Sequence, residues 1–421
     1  MSPKTGTIAG SINAPRLLHL GFAFPPGVAA LNPGVNPAGH ALETQMVAQL
    51  RRYFEVRSTG ILPSVPRAIP SADPSSGLAH ELIMVERPPE LVYRFRALLR
   101  LIGQYRQWQA AGWEPAAVLV YNLSPVYNQF VLWLRRQKRC PKMLLLLLDS
   151  PNLGVPAPWF KRFRRRFKPM YVSDTDMLEH FDACIGLSQN VECYFRDKNV
   201  PFLWMPGGCS PERARLAHPN DQGIEANGPI RLGYFGALAA HAGIQPLIET
   251  LLATQVHVSL EICGYGKLTE QISQVTRRHP HIRFRGLLTP AECLRFGQTC
   301  DVLVNPRPAS HGNQNNFPSK LFDYALTGTA VLTTRLSGVE TVLGPEAFYF
   351  DAQDFFGSLT QSLGELAGQS RRELRRRGAA LQRRIIKEFC WEKQAARLAG
   401  FIGGVCGKRP VLVPAAEPIA A

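Results

Sequence analysis

Short apolar runs alternate with longer amphipathic stretches along most of the chain. The runs are Leu17–Phe24, Val118–Tyr121, Met143–Leu148, a segment within Phe181–Ser188, and Phe202–Met205. After a polar interval the rhythm resumes at Arg231–Gly236, Val256–Gly264, Ile282–Leu287, Asp301–Asn305 and Ala330–Thr334. Runs of four to eight apolar residues bounded by turn residues read as strands buried on both faces. Helical patterns between them, near residues 40–53, 126–138 and 189–198, predict parallel sheets wound on both faces. Met205–Pro211 holds two glycines flanked by two prolines and breaks the rhythm, so it predicts a hinge between two α/β units.

One segment of the second unit carries chemistry as well as shape. Asn315–Gly328 reads as a loop followed by a helix, and Ala330–Thr334 as the strand behind it. Pro318 suits a first helical turn, where its missing amide hydrogen costs nothing. Gly328 suits a left-handed stop. The loop delivers a helix N-terminus, with its unpaired amides, to the carboxyl rim of a parallel sheet, where phosphates bind. Asp323, about a turn and a half further on, is placed to accept hydrogen bonds from a ribose, although a Pro start and a Gly stop also mark an ordinary helix. Lys320 sits where a cation opposes the helix dipole, so a structural purpose for it is hard to find and an anionic ligand would explain it.

Length and composition agree with two domains. A chain of 421 residues with 45% hydrophobic residues exceeds one core and buries sizeable ones. Its nine cysteines are scattered singly, without the spacing of a zinc site, and suit a reducing compartment. No metal ligand set and no cofactor is expected. Residues 1–15 lack the apolar core of a secretory signal, and the longest fully apolar run, Met143–Leu148, is far too short to span a bilayer, so a cytoplasmic chain is expected. The formal charge of +16 gathers in Arg135–Arg139, Lys161–Lys168 and Arg371–Arg384. Phe163 and Phe167 stand four apart within the middle run, a pattern that fits an anionic membrane surface. No nucleic-acid motif accompanies the charge, so a nucleic-acid partner is not expected.

The segment around Asp323 resembles the nucleotide-sugar site of GT-B glycosyltransferases, family 4 in particular. Two acids eight positions apart flank a helix there. Asp323 matches the second, whereas the first falls on the amide Asn315. The resemblance extends over roughly residues 16–403, including the Phe181–Cys209 segment and Glu388–Glu392, which is similar to the start of the family's last helix. It implies an α/β fold of two doubly wound Rossmann-like domains facing across a cleft. The expected limits are a disordered tail 1–15, an acceptor-side domain 16–205, a hinge 206–227, a nucleotide-sugar domain 228–385, a helix 386–403 crossing back to the first domain, and a tail 404–421.

The same resemblance implies the site. The donor is expected on Gly236, Gly264, Gly266, Leu287, Arg307, Asn316, Phe317, Pro318, Ser319, Lys320 and Asp323. Asn315, Asp149 and His40 are the catalytic-side candidates, with Gly34–His40 as a loop closing over the cleft. Family members place an Arg and a Lys after the turn Gly233–Gly236, and here those places fall on Ala237 and Ala242, with Lys320 and Arg307 as the replacement cations. The implied activity is retaining, metal-independent transfer from a nucleotide-sugar to an acceptor hydroxyl in surface polysaccharide or glycolipid synthesis. The acceptor would be a saccharide or a lipid-linked saccharide. The departures keep two alternatives open: a non-catalytic nucleotide-sugar-binding scaffold, and an epimerase or phosphorylase on the same fold.

Overall fold

The computed structural model describes residues 14–23, 37–63, 80–85, 90–148, 174–210, 213, 228–254 and 256–407. Asp149, residues 34–36 of the expected Gly34–His40 loop, and the basic run 161–168 lie outside them, while residues 37–40 of that loop form the start of a helix. Among the described residues thirteen strands form two parallel sheets. The first sheet contains β1 (Arg16–Leu20), β2 (Glu55–Pro63), β3 (His80–Val85), β4 (Ala117–Tyr121), β5 (Lys142–Leu147), β6 (Ala183–Gly186) and β7 (Phe202–Trp204), in spatial order 3-2-1-4-5-6-7. The second contains β8 (Ile230–Ala237), β9 (Val258–Tyr265), β10 (Ile282–Phe284), β11 (Val302–Asn305), β12 (Ala330–Thr334) and β13 (Phe348–Phe350), in order 10-9-8-11-12-13. Both orders reverse once, between β1 and β4 and between β8 and β11. Such switch points leave a crevice at the carboxyl ends of the strands, the usual ligand position in open parallel sheets.

Local reasons for these elements are visible in the chain. Strands β4, β5 and β11 are buried along nearly their whole length, as apolar runs with helices on both faces must be. The helix Pro290–Thr299 starts with a capping box in which Thr289 and Glu292 bond reciprocally, and Pro290 follows the cap. Gly328 ends its helix at φ +74°. That helix is shorter than the sequence suggests. It spans Lys320–Leu326, because the turn before it is tightened by bonds from Leu321 N to Pro318 O and from Phe322 N to Ser319 O. The first-unit helix lies three residues earlier than the periodicity indicates, at Pro37–Leu50, with proline at its start. Strands β2 and β3 and the long helix Glu90–Ala110 have no counterpart in the apolar pattern.

The two units share one core. Leu17, Leu42, Met46, Phe322, Phe389, Trp391 and Leu398 belong to a single buried cluster that runs from the first sheet to the second. Gly207, at φ +113°, makes this close approach possible. A Cβ there would stand 3.3 Å from the Phe322 ring and 3.8 Å from Leu42, one residue from each unit. The following Cys209 exchanges backbone bonds with Phe389 O and Trp391 N, at 2.9 and 3.0 Å. The helix Trp391–Val405 then packs on Pro37–Leu50, and Arg397 donates to Trp204 O at 3.2 Å.

Candidate active site

The second-unit side of the crevice is built around the end of β8. Strand β8 pairs with β9 as far as Ala237 and Tyr265, so the turns after both strands lie side by side. A Cβ on Gly264 would fall 1.9 Å from Gly236 O, and one on Gly266 would fall 2.3 Å from Leu238 O. Those two glycines let one loop backbone rest on the other, which is a packing role.

Gly236 does something different. Its absent Cβ, at φ +147°, would stand 2.9 Å from Lys320 Nζ. The ammonium therefore fills space that only glycine leaves at the mouth of β8. Lys320 Nζ donates to Tyr234 Oη at 2.8 Å and lies 4.2 Å from the centre of the same ring. Tyr234 Oη in turn donates to Ala237 O at 2.6 Å. The helix bearing Lys320 is held against β8 by Tyr324, whose hydroxyl donates to Phe235 O and accepts from Phe235 N.

Electrostatics single out this corner. Burial, reinforced by Arg307, holds the Lys320 ammonium well below the ordinary lysine value. Burial also lowers His241, with Arg307 and Lys320 adding to the effect. Lys320, Arg307 and His241 thus crowd one region at the β8–β11 switch point, where like charges raise one another's cost. Such a cluster is relieved by an anion. Asp323 lies one turn along the same short helix, a third exposed, with Arg213 Nη1 2.5 Å from its Oδ1. Burial raises its carboxyl while Arg213 pulls the other way.

The polar loop before the helix joins the units. Asn313, buried, donates to His241 O at 3.0 Å and to Pro308 O at 2.9 Å. Gln314 O accepts from Ser188 Oγ and from Asn190 Nδ2, both at 3.0 Å, and both donors belong to the first unit. Asn315 is nearly buried, with Nδ2 2.9 Å from His311 Nε2, and Asn316 is half-buried beside it. Phe317 is a core residue whose ring lies 5.4 Å from Phe322, and Pro318 is buried with it. Ser319 is exposed, and Leu287 is exposed on the loop after β10. On the first-unit side, His40 lies in the opening turn of Pro37–Leu50, with Nε2 3.5 Å from Thr44 Oγ1. The structure therefore gathers Gly236, Lys320 and Arg307 at one corner, holds Asp323 one turn further along the same helix on Arg213, and packs Phe317 in the core.

Several groups here carry no local sequence signal. Tyr234 sits inside the run read as a strand, and Arg213 inside a polar linker. In the first unit, His19 and Glu43 form a wholly buried pair, Nε2 to Oε2 3.0 Å. His19 Nδ1 lies 2.8 Å from Ser58 Oγ, and Glu43 accepts the Phe22 amide at 2.9 Å. A Cβ on Gly21 would fall 1.9 Å from Glu43 Oε2, so glycine admits the carboxylate. Burial raises the Glu43 carboxyl, against the lowering influence of His19 and the Phe22 amide. A lone histidine in an apolar strand was the available hint.

Comparison with known proteins places this geometry. Residues 229–369 match the family model described as glycosyl transferases group 1. A putative teichuronic acid biosynthesis glycosyltransferase, TuaH, of Bacillus subtilis is 25% identical over 196 residues, which are 44% of this chain and 47% of that protein. The match thus spans about half the length of that relative. Sucrose-phosphate synthase from Thermosynechococcus elongatus superimposes with a TM-score of 0.68 at 15% identity, over 93% of this chain and 99% of its own. Anabaena HepE, solved in complex with UDP, superimposes with a TM-score of 0.61 at 14% identity, over 92% of this chain and 100% of its own. The chain has the GT-B fold of these structures, and within its second unit residues 229–369 resemble the group 1 glycosyl transferases.

Proposed function

We propose that the chain transfers a sugar from a nucleotide-sugar donor to an acceptor hydroxyl, with retention at the anomeric carbon and without a metal ion, in the assembly of a surface polysaccharide or glycolipid. The observation that carries the reading is the meeting of Lys320, Arg307 and His241 beside Gly236 at the switch point of a group 1 domain. A departing nucleoside diphosphate needs its growing negative charge met as the glycosidic bond breaks, and preorganised cations there stabilise the transition state more than the bound substrate. Lys320 reaches this position from the helix side, in place of the cations that Ala237 and Ala242 do not supply. Asp323 would take the ribose hydroxyls once Arg213 turns toward the phosphates or away. Asn315, with Asn316 beside it, would hold sugar hydroxyls without adding charge. His40 would contact the acceptor, and Asp149, outside the described residues, is the candidate to orient or deprotonate its hydroxyl. TuaH is named for teichuronic acid biosynthesis and HepE was solved with UDP, which supports a polysaccharide acceptor and makes uracil the first base to try.

The test is a thermal-shift screen against nucleoside diphosphates and their sugars, run on the wild type, Asp323→Asn and Lys320→Ala. Stabilisation by one nucleotide that weakens in both variants is expected, followed by transfer to a saccharide acceptor. Stabilisation without turnover would favour the binding scaffold, and no stabilisation by any nucleotide would refute the donor site.

A further inference from the structure

The helix Glu90–Ala110 has two faces of opposite character. Ala97, Leu101, Tyr105 and Trp108 are buried against the first sheet and the neighbouring helix Pro125–Arg135. Val92, Phe95 and Leu99 point the other way and are 40%, 55% and 52% exposed. Their spacing of three and four residues sets them in one stripe. Arg96 and Arg100 flank the stripe and are exposed as well. From Leu91 to Gly112 the chain carries Arg94, Arg96, Arg100 and Arg106 and no aspartate or glutamate. Arg136, Lys138 and Arg139 after the adjoining helix lie at the opposite, amino edge of the sheet, where Arg139 pairs with Glu114 at 3.4 Å, so the charge beside the stripe is that of Arg96 and Arg100.

We infer that the outer face of Glu90–Ala110 docks on an anionic lipid bilayer, lying in the headgroup plane with Val92, Phe95 and Leu99 inserted. An apolar stripe explains a nonpolar partner but not the exposed Arg96 and Arg100 beside it, with no acid between Leu91 and Gly112. Basic charge alone explains an anionic partner but not an exposed phenylalanine and leucine at its centre. A bilayer with acidic headgroups offers both layers in the right order. Arginine stems lie along the apolar boundary while their guanidinium groups reach phosphate. Among the described residues no helix is long and apolar enough to cross a membrane, so the contact proposed is interfacial. The helix follows β3 directly, which puts its first turns, and therefore the stripe, at the carboxyl edge of the first sheet, the edge on which His40 lies. The surface thus sits on the flank from which a lipid-borne molecule would enter the crevice.

Co-sedimentation of the full chain with phosphatidylcholine vesicles, with and without phosphatidylglycerol, tests the inference without needing turnover. Either result therefore leaves the donor site to its own assay. Two variants separate the contributions: Phe95→Gln with Leu99→Gln, and Arg96→Gln with Arg100→Gln. All four side chains are exposed, and circular dichroism checks that the variants stay folded. Wild-type protein is expected on the phosphatidylglycerol vesicles alone and to be released by salt. Each arginine near an acidic surface changes partition about fivefold, so the double arginine variant should bind roughly thirtyfold more weakly. The apolar variant should lose roughly tenfold or more. Absence of wild-type binding would overturn the inference. So would undiminished binding by both variants, which would move the contact elsewhere, for instance to residues 161–168. A concentration-dependent dimer abolished by the apolar substitutions, with vesicle binding intact, would make the stripe a self-interface and equally overturn it.

Discussion

Replacing Lys320 with methionine tests the site where the geometry is most specific. Methionine keeps an unbranched stem against the Tyr234 ring and removes the ammonium that bonds Tyr234 Oη at 2.8 Å. A charge-assisted hydrogen bond to a phosphate oxygen contributes about 1.5–3 kcal/mol. Its loss should raise the Kd for a nucleoside diphosphate about 10- to 150-fold. The pH dependence is the sharper signature. Burial and Arg307 hold the lysine below its ordinary value, so the free protein releases this proton earlier than an unfolded lysine does. A bound diphosphate restores it. Wild-type affinity should therefore fall as pH rises through the depressed value, with net proton uptake on binding below the ordinary lysine range. In the same window the unfolded chain binds more protons than the native one, so native stability should rise with pH. Lys320→Met should show neither proton uptake nor that slope, and should be more stable than wild type at neutral pH. Isothermal titration with the nucleotide identified by the screen, in two buffers of different ionisation enthalpy, measures affinity and proton count together. A Kd within twofold of wild type, with unchanged proton uptake, would refute the assignment of Lys320 to the diphosphate.

Two helix glycines should respond in opposite directions to alanine. Gly378 lies inside Arg371–Phe389, and a Cβ there would fall 2.2 Å from Gly328 O and 2.6 Å from the Thr329 carbonyl carbon. Alanine's helix preference of about 1 kcal/mol is outweighed by that backbone clash, and urea unfolding should show a net loss of about 1–3 kcal/mol. Gly400, inside Trp391–Val405, meets nothing within 4 Å, so Gly400→Ala should gain about 0.5–1 kcal/mol in the same assay. Glu43→Gln tests the buried His19 pair. Because the native carboxyl is raised, the folded chain binds more protons than the unfolded one just above the ordinary carboxylate value, and wild-type stability should fall as pH rises there. Glutamine keeps an acceptor for the Phe22 amide and should flatten that slope in thermal melts at stepped pH; an unaltered slope would assign it to other groups.

The parallel sheets were legible because burial on both faces forces an unbroken apolar run, as at Met143–Leu148, whose short length distinguishes it from a buried helix. Strand β2 escaped for the opposite reason. Its Ser58 and Thr59 are buried polar residues at 2% exposure, and Ser58 is tolerated because His19 on β1 bonds it. Burial of that kind depends on a partner 39 residues away, and no window along the chain contains it. The helix Glu90–Ala110 escaped because arginines are interspersed among its apolar residues and three of those, Val92, Phe95 and Leu99, lie on its outer face.

The candidate site divides along the same line. Lys320 was legible because a cation at a helix start is locally unfavourable, and a local cost calls for a distant cause. Tyr234 was silent because a tyrosine in a strand is locally ordinary. Its value lies in where its hydroxyl meets Lys320 and Ala237, across a separation of 86 residues in the first case. The two alanines at 237 and 242 carry the same lesson. They look like missing charge only while charge is sought on the turn after β8. With Gly236 bare of a side chain and Tyr234 beneath, the volume beside that turn is occupied by an ammonium arriving from the helix after β11. The electrostatic demand belongs to the switch point, which the fold fixes. Which element meets it is open to substitution, provided that the neighbouring residues leave room.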